Sequence, residues 1–297
     1  FLLLTDENHT FSRRGLAFEA EELTALRESI AEFGFDWAVN EEFAEVLHEA
    51  VGWEIPRERQ YGAFIAPTTE QAVLVCYGGD GTLLEGVHRL GGRQLPVVGI
   101  NAGRLGFLTS DSRKGLKRLF AALRDGELCF EERSLIEVES DLPSNGDSPL
   151  ALNEFSIQRN GAGMLSVEIY IDEKMVATCH GDGVIVSTPT GSTAYSLSAG
   201  GPVVAPTCAC FVITPIAPHN LTMRPVVVPD TSRIRLKVQA RRSEAFLTLD
   251  NRSYAVPSSC EFTLHKAEKS IFLAVPHNIS FYDTLRNKMM WGVDIRG

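Results

Sequence analysis

The chain has 297 residues, 44% hydrophobic and 22% charged, which is the composition of a folded globular protein with room for two domains. Lys and Arg number 28 against 38 Asp and Glu, a net charge of −10, and residues 1–60 alone carry 14 acidic and 5 basic side chains. An acidic chain without a basic stripe argues against nucleic acid as a partner, and no apolar run approaches the ~18 residues of a membrane span.

The opening Phe1-Leu2-Leu3-Leu4 is too short for a secretory signal and reads as a buried first strand. Leu16, Leu23, Leu26, Ile30 and Phe33 recur at helical spacing, with Gly34 placed to end the helix. Ala72-Val73-Leu74-Val75-Cys76-Tyr77 is a continuous apolar run of the kind found in parallel strands covered on both faces. It breaks at Gly78-Gly79-Asp80-Gly81-Thr82 and resumes as a helical pattern through Leu83, Leu84, Val87 and Leu90. A second such strand, Pro96 to Ile100, runs into Asn101-Ala102-Gly103-Arg104-Leu105-Gly106-Phe107. Strand, turn, helix and strand in succession predict βαβ units and a Rossmann-like parallel sheet over residues 1–132.

Beyond a short crossing at 131–134 the period changes to two. Val167, Ile169 and Ile171 alternate with polar residues before the turn Asp172-Glu173-Lys174, Ile234, Leu236 and Val238 do the same, and Ile271, Leu273 and Val275 repeat it. One polar face per strand predicts an antiparallel β-sandwich over residues 133–275. Phe281, Leu285, Met289 and Met290 return to helical spacing in a final segment, 276–297. The six cysteines are scattered, with no C-x-x-C pair or metal-finger spacing, and predict free thiols in a reducing, cytoplasmic setting.

Three stretches carry chemistry. In the turn from Gly78 to Thr82 the glycines permit positive φ and remove Cβ atoms between backbone and ligand. The helix start that follows offers N–H groups to a phosphate donor. Asp80, at the carboxyl end of a strand, is placed to accept a proton or to hold a metal, or merely to cap the helix. The second stretch runs from Gly181-Asp182 through Thr188-Pro189-Thr190-Gly191-Ser192-Thr193-Ala194-Tyr195-Ser196-Leu197-Ser198. Its Thr190, Ser192 and Thr193 hydroxyls suit a polyhydroxylated ligand, and a Ser/Thr-rich loop with internal caps is the alternative. The third is Leu152-Asn153-Glu154; on a regular strand Asn153 and Glu154 would point to opposite faces, so both reach one ligand only if the backbone turns, and by themselves they read as a surface pair. His180, His219 and Asp250 show no partner spacing that would make a metal site.

Together these stretches resemble the NAD kinases of bacterial type. The likeness runs from residue 72 to the C-terminus through Gly78 to Thr82, Gly99-Ile100-Asn101 with Gly103, and Leu105 to Thr109. It continues through Leu152-Asn153-Glu154, Asp182-Gly183, Thr188 to Tyr195, Thr214-Pro215, Pro218-His219, Arg224-Pro225, Leu285 to Lys288 and Trp291-Gly292. The resemblance implies an α/β domain, a β-sandwich, and a C-terminal segment returning to the first domain. It also implies ATP or another phosphoryl donor, a divalent metal (Mg²⁺ or Mn²⁺), NAD as acceptor, and a homo-oligomer, commonly a tetramer. By similarity Asp80 is the base acting on the adenosine 2′-hydroxyl, and Gly78, Gly79, Gly81 and Thr82 form the phosphate-donor loop. Asn153 and Glu154 contact the dinucleotide, with Asp182 and His180 at the nicotinamide end and Phe107 beside the adenine. Thr193, Ala194, Tyr195 and Ser198 line the adenosine and ribose pocket; Ser196, Leu197 and Gly81 belong to the same NAD-binding set, and Ala217 is a further wall position. His180 stands where several relatives carry Arg, and Asp250-Asn251-Arg252 replaces the more usual Asp-Gly-Gln. Two rivals share parts of this pattern: a lipid or sphingoid-base kinase with the same Gly-Gly-Asp-Gly turn, which the hydroxyl-rich 187–198 stretch disfavours, and a non-catalytic dinucleotide sensor, which would not need Asp80.

Overall fold

Apolar runs with no polar alternation become strands covered on both faces, and the first unit is assembled from them. The computed structural model describes residues 2–5, 16–62, 72–101, 106–109, 115–141, 148–161, 163–276 and 280–292; Phe1 and Ala102, Gly103, Arg104 and Leu105 lie outside the described residues. The chain divides into two units, residues 1–132 with 271–297, and residues 133–270.

The first unit runs β1 (Leu2–Thr5), α1 (Leu16–Phe33), β2 (Trp37–Asn40), α2 (Glu41–Val51), β3 (Gln60–Tyr61), β4 (Val73–Gly78), α3 (Asp80–Leu90), β5 (Pro96–Asn101), α4 (Leu116–Asp125) and β6 (Leu128–Arg133). In the second unit follow β7 (Ile136–Glu139), β8 (Leu150–Ala151), β9 (Glu154–Arg159), β10 (Leu165–Ile171), β11 (Lys174–Gly181) and β12 (Gly183–Ser187). The short helix α5 (Tyr195–Ser198) precedes β13 (Cys210–Ile216), β14 (Val226–Pro229), β15 (Ile234–Leu249) and β16 (Arg252–Lys266). The chain then returns to the first unit as β17 (Ile271–Pro276) and α6 (Phe281–Met289).

The first sheet has the order β3-β2-β1-β4-β5-β17-β6, and its neighbours from β3 through β17 pair in parallel. Leu23, Leu26 and Ile30 of α1 are buried against it, and the helix closes at Gly34 with φ 68°. Strand order reverses between β1 and β4, the point at which open α/β sheets place ligands beyond their carboxyl ends. Asp80 begins α3 immediately after β4.

In the second unit the sandwich takes the form of one hydrogen-bonded ten-stranded antiparallel sheet, ordered β14-β13-β12-β9-β15-β16-β7-β8 with β10 joined to β15 and β11. Its core is built from the inward residues of alternating strands, among them Val167, Ile169, Ile234, Leu236 and Val238. The turn predicted at Asp172-Glu173 joins β10 to β11 with both residues in the left-handed region. One strand departs from expectation. Ile271 to Val275 was assigned to the antiparallel sheet by its period of two, yet β17 pairs parallel with β5 in the first unit. Phe272 and Ala274, between the periodic residues, are themselves apolar, so the segment is an uninterrupted run suited to a strand covered on both faces.

Among the described residues no helix is long and apolar enough to cross a membrane. All six cysteines are free.

Helix α3 is held close to β4 because residue 86 has no side chain. A Cβ at Gly86 would stand 2.5 Å from Cys76 Sγ and 3.1 Å from a Leu74 methyl carbon. Gly86→Val is therefore expected to lower stability by about 1–3 kcal/mol through overpacking, read as a lower midpoint in urea unfolding. A midpoint equal to wild type would mean that α3 moves away from β4 without cost.

Candidate active site

The turn after β4 is built by close approach. A Cβ on Gly78 would stand 2.2 Å from Thr82 Oγ1, whereas one on Gly79 would meet nothing within 4 Å. Neither glycine, nor Gly81, has positive φ, so the conformational freedom expected of them is not what the turn uses. What it uses is space. No side chain caps the N-terminus of α3, whose cap residue is Gly79.

Asp80 is not the helix cap that the simplest alternative required. Its carboxylate reaches across to the loop after β5, where Phe107 N–H donates to Oδ2 at 2.8 Å and Leu108 N–H to Oδ1 at 3.2 Å. The Thr109 hydroxyl donates to Oδ1 at 3.4 Å and also accepts from Gly106 N–H. Gly106 must be glycine here, since a Cβ would stand 1.7 Å from Asp80 Oδ1. Lys288 of α6 brings its Nζ to 3.8 Å from Asp80 Oδ2 and to 4.4 Å from the centre of the Phe107 ring. Sequence reasoning counted Lys288 in a matching segment without giving it a role; only the return of β17 and α6 to the first unit brings it to Asp80.

In the second unit the backbone does turn at Asn153. Residues 152 and 153 form a bend between β8 and β9, and the hairpin turn joining β15 to β16 grips it. Asp250, with φ 54°, accepts from Leu152 N–H at 2.8 Å, Asn153 N–H at 2.7 Å and Glu154 N–H at 3.1 Å. Its own N–H donates to Glu154 O at 3.0 Å. From the other side, Thr188 donates its N–H to Asn153 O and its hydroxyl to Leu152 O. Gly191 packs so near that a Cβ would stand 2.0 Å from Asn153 O. Every N–H and C=O of residues 152–154 is thus bonded, leaving the Asn153 and Glu154 side chains for other work. Arg252 steadies the same corner through Ser148 O and Leu150 O. Asp250 was set aside in the sequence because nothing near it in the chain pairs with it; its partners lie about a hundred positions away.

Glu154 is only 7% exposed. Burial pushes its carboxyl up to about 8, the adjacent Asp250 charge adds to this, and the Tyr195 N–H bonded to it acts in the opposite direction. Burial also raises Asp250, against the three N–H donors and Arg252.

The hydroxyl-rich stretch divides into two groups. Ser192 spends its hydroxyl inside the loop, donating to Pro189 O and accepting from Val204 N–H, and Ser196 is buried against Thr214 Oγ1 at 2.9 Å. Thr193, Ala194 and Leu197 are half-buried, and Tyr195 and Ser198 are exposed. The Tyr195 hydroxyl reaches Gln158 Oε1 at 3.2 Å. Farther along, Asp182 is bound by Arg159 through Nε at 2.6 Å and Nη2 at 3.3 Å, an ion pair that raises the guanidinium still further. Asp182 therefore has a cation partner within the chain. Its N–H donates to Ile216 O, while His180 O accepts from His219 N–H, bringing His180, Asp182 and Ala217 together at one end of the sheet. The His180 side chain is exposed, and Ala217 is exposed with φ 40°.

A parallel-sheet unit with an Asp-bearing glycine turn at its switch point, followed by an antiparallel unit with a braced Asn-Glu bend, defines a two-part nucleotide kinase. Residues 20–128 match the ATP-NAD kinase N-terminal domain and residues 152–271 the ATP-NAD kinase C-terminal domain. An NAD kinase of Porphyromonas gingivalis is 44% identical over 225 residues, 75% of this chain and 77% of that protein. One from Christiangramia forsetii is 34% identical over 282 residues, 93% of this chain and 95% of that protein. Among solved structures, yeast NADH kinase complexed with NADH superposes with a TM-score of 0.82 at 25% identity, over 99% of this chain and 88% of that one. An Archaeoglobus fulgidus NAD kinase in complex with ATP gives 0.66 at 26% identity, over 97% of each. The chain belongs to the NAD kinase family, and is a kinase that phosphorylates NAD with ATP.

The raised Glu154 carboxyl makes stability depend on pH. Between the ordinary value of 4.5 and about 8 the unfolded chain has lost this proton while the folded chain keeps it. The unfolded state then binds fewer protons, so this group's contribution is full below 4.5, falls as pH rises to 8, and levels off above. Glu154→Gln removes the dependence. Its urea midpoint is expected to gain on wild type steadily from pH 5 to pH 8; parallel midpoints would show that Glu154 titrates normally.

Proposed function

We propose that the chain transfers the γ-phosphoryl group of ATP to the 2′-hydroxyl of the adenosine ribose of NAD, with Asp80 as general base. The hydroxyl oxygen forms the new bond to phosphorus, the bond to the β–γ bridging oxygen breaks, ADP leaves, and the hydroxyl proton passes to Asp80. The observation that carries this is the aim of the Asp80 carboxylate. It is fixed by Phe107 and Leu108 N–H instead of capping its own helix, and it remains partly exposed beside the uncapped start of α3. A base needs a held position and access to its proton.

The glycine turn and the α3 N-terminus are suited to the donor's phosphates, where backbone N–H groups and the helix dipole favour negative charge. Among the described residues no three His, Cys, Asp or Glu side chains gather into a metal site. That fits a divalent ion held mainly by nucleotide phosphates, with Asp80 as its protein carboxylate, as magnesium in kinases commonly is. When bound, the ion offsets phosphate charge.

Asn153 and Glu154 bind the dinucleotide from their braced bend, and Thr193, Ala194, Tyr195 and Ser198 supply the adenosine and ribose wall. Ser196 supports this wall from beneath, since its hydroxyl is taken by Thr214. His180 and Asp182 serve the nicotinamide end. The expected homo-oligomer is supported by Val226 and Val227, about half exposed on the edge strand β14. Free cysteines support the expected cytoplasmic setting.

Asp80→Asn keeps the shape and removes the basicity. Turnover of NAD to NADP is expected to fall on the order of 10²–10⁴ fold with NAD binding retained; near wild-type turnover would remove the base from Asp80, and lost binding would make it a binding residue. For His180, the ratio of kcat/KM for NAD to that for NADH is expected to rise in His180→Arg through the shape and hydrogen bonding of the longer side chain, since its charge alone would repel the oxidised ring. An unchanged ratio would leave His180 a surface residue.

A further inference from the structure

Two carboxyl groups meet at the braced bend, and they are not equivalent. Asp250 uses Oδ1 and Oδ2 to accept from three consecutive N–H groups. Those three donors favour the ionised form of Asp250, against the burial that raises its carboxyl. Glu154 is in the opposite situation. It is 7% exposed, the Tyr195 N–H bonds to its carboxyl, and its Oε2 is buried with no hydrogen-bond partner among the described residues. Directly across β12 stands Ser187, fully buried, whose Oγ is likewise without a partner. Residues directly opposite in an antiparallel pair share a face, so two orphaned buried oxygens sit on the same side of the sheet. An unpaired buried carboxylate beside a second carboxylate is among the costliest arrangements a protein can hold, and it is relieved if the pair keeps one proton.

We propose that Glu154 carries that proton on Oε2 and binds the dinucleotide as a hydrogen-bond donor to an acceptor atom of NAD, with Asp250 as the positioning residue that imposes both the bend and the protonated state. The proposal rests on the reading of Asn153 and Glu154 as dinucleotide contacts. The groups facing Glu154 support it from each neighbouring element. Asp250, from the β15–β16 turn, contributes the negative charge. Arg252 of β16 has its guanidinium engaged by Ser148 O and Leu150 O. From β12 and the segment after it come Ser187, opposite Glu154, and Thr188, whose hydroxyl bonds Leu152 O, and α5 contributes the Tyr195 N–H. Burial and the Asp250 charge hold the Glu154 carboxyl up near 8, so the donor form is present at neutral pH. A carboxylate that must bind as an acid loses its ligand as it ionises, about tenfold per pH unit above its midpoint.

The test is calorimetric titration of the full-length protein with NAD, without a phosphoryl donor, from pH 6.5 to 9. Wild type is expected to hold one affinity up to about pH 7.5 and to weaken about tenfold by pH 9. Glu154→Gln, whose amide stays a donor at every pH, is expected to bind NAD with one affinity across the range. In Asp250→Asn the weakening is expected to begin at lower pH than in wild type. Parallel weakening of wild type and Glu154→Gln overturns the proposal, as does a wild-type affinity independent of pH. Should Asp250→Asn not fold, the first two proteins decide the matter. Wild-type protein that binds no NAD at any pH overturns the functional reading, and this one with it.

Discussion

The Asp250 carboxylate and the three N–H groups it accepts are the contact on which the second unit's bend depends. A strand entering at residue 152 would point successive side chains to opposite faces. The bend prevents this, but a bend buried beneath a sheet leaves N–H groups that neither ladder nor water can satisfy. Asp250 satisfies three of them, Thr188 satisfies the carbonyls from the other side, and Gly191 allows the approach. Holding a carboxylate there carries a desolvation cost, and burial together with the Asp250 charge raises the neighbouring Glu154 carboxyl. Architecture and chemistry at this corner are one arrangement.

The first unit uses a carboxylate in a related way with a different balance. Asp80 also accepts backbone N–H groups from a remote loop, and a glycine, Gly106, is required where the two meet. Yet Asp80 accepts two such groups, not three, with the Thr109 hydroxyl at 3.4 Å and a partly exposed Lys288 at 3.8 Å beside it. Exposed ion pairs contribute roughly 0–1 kcal/mol, so that partner is easily exchanged. Asp250 is fastened for shape. Asp80 is fastened by fewer donors and left partly exposed.

The hydroxyl-rich stretch shows how one composition serves two ends. Ser192, Ser196, Thr188 and Thr193 spend their hydroxyls on the loop and its supports, whereas Tyr195 and Ser198 are exposed. The reading as a ligand wall and the reading as an internally capped loop each describe part of it. Small residues let the chain fold back on Asn153; the hydroxyls left over face outward.

Much of this was legible along the chain. Uninterrupted apolar runs marked the parallel strands, alternation marked the antiparallel ones, and the glycine turn with Asp80 stood out by local spacing, because backbone geometry is set by near neighbours; the Asn153-Glu154 pair, a surface pair by its residues alone, stood out only through the family resemblance. What lay beyond near neighbours was not legible. The sheet that Ile271 to Val275 joins is chosen by the unit with a gap to fill, not by the strand's own period. Asp250 and Lys288 acquire their meaning from partners about a hundred and about two hundred positions distant. Which carboxyl keeps a proton is decided by burial and by a second charge, and both exist only once the chain has brought those residues together.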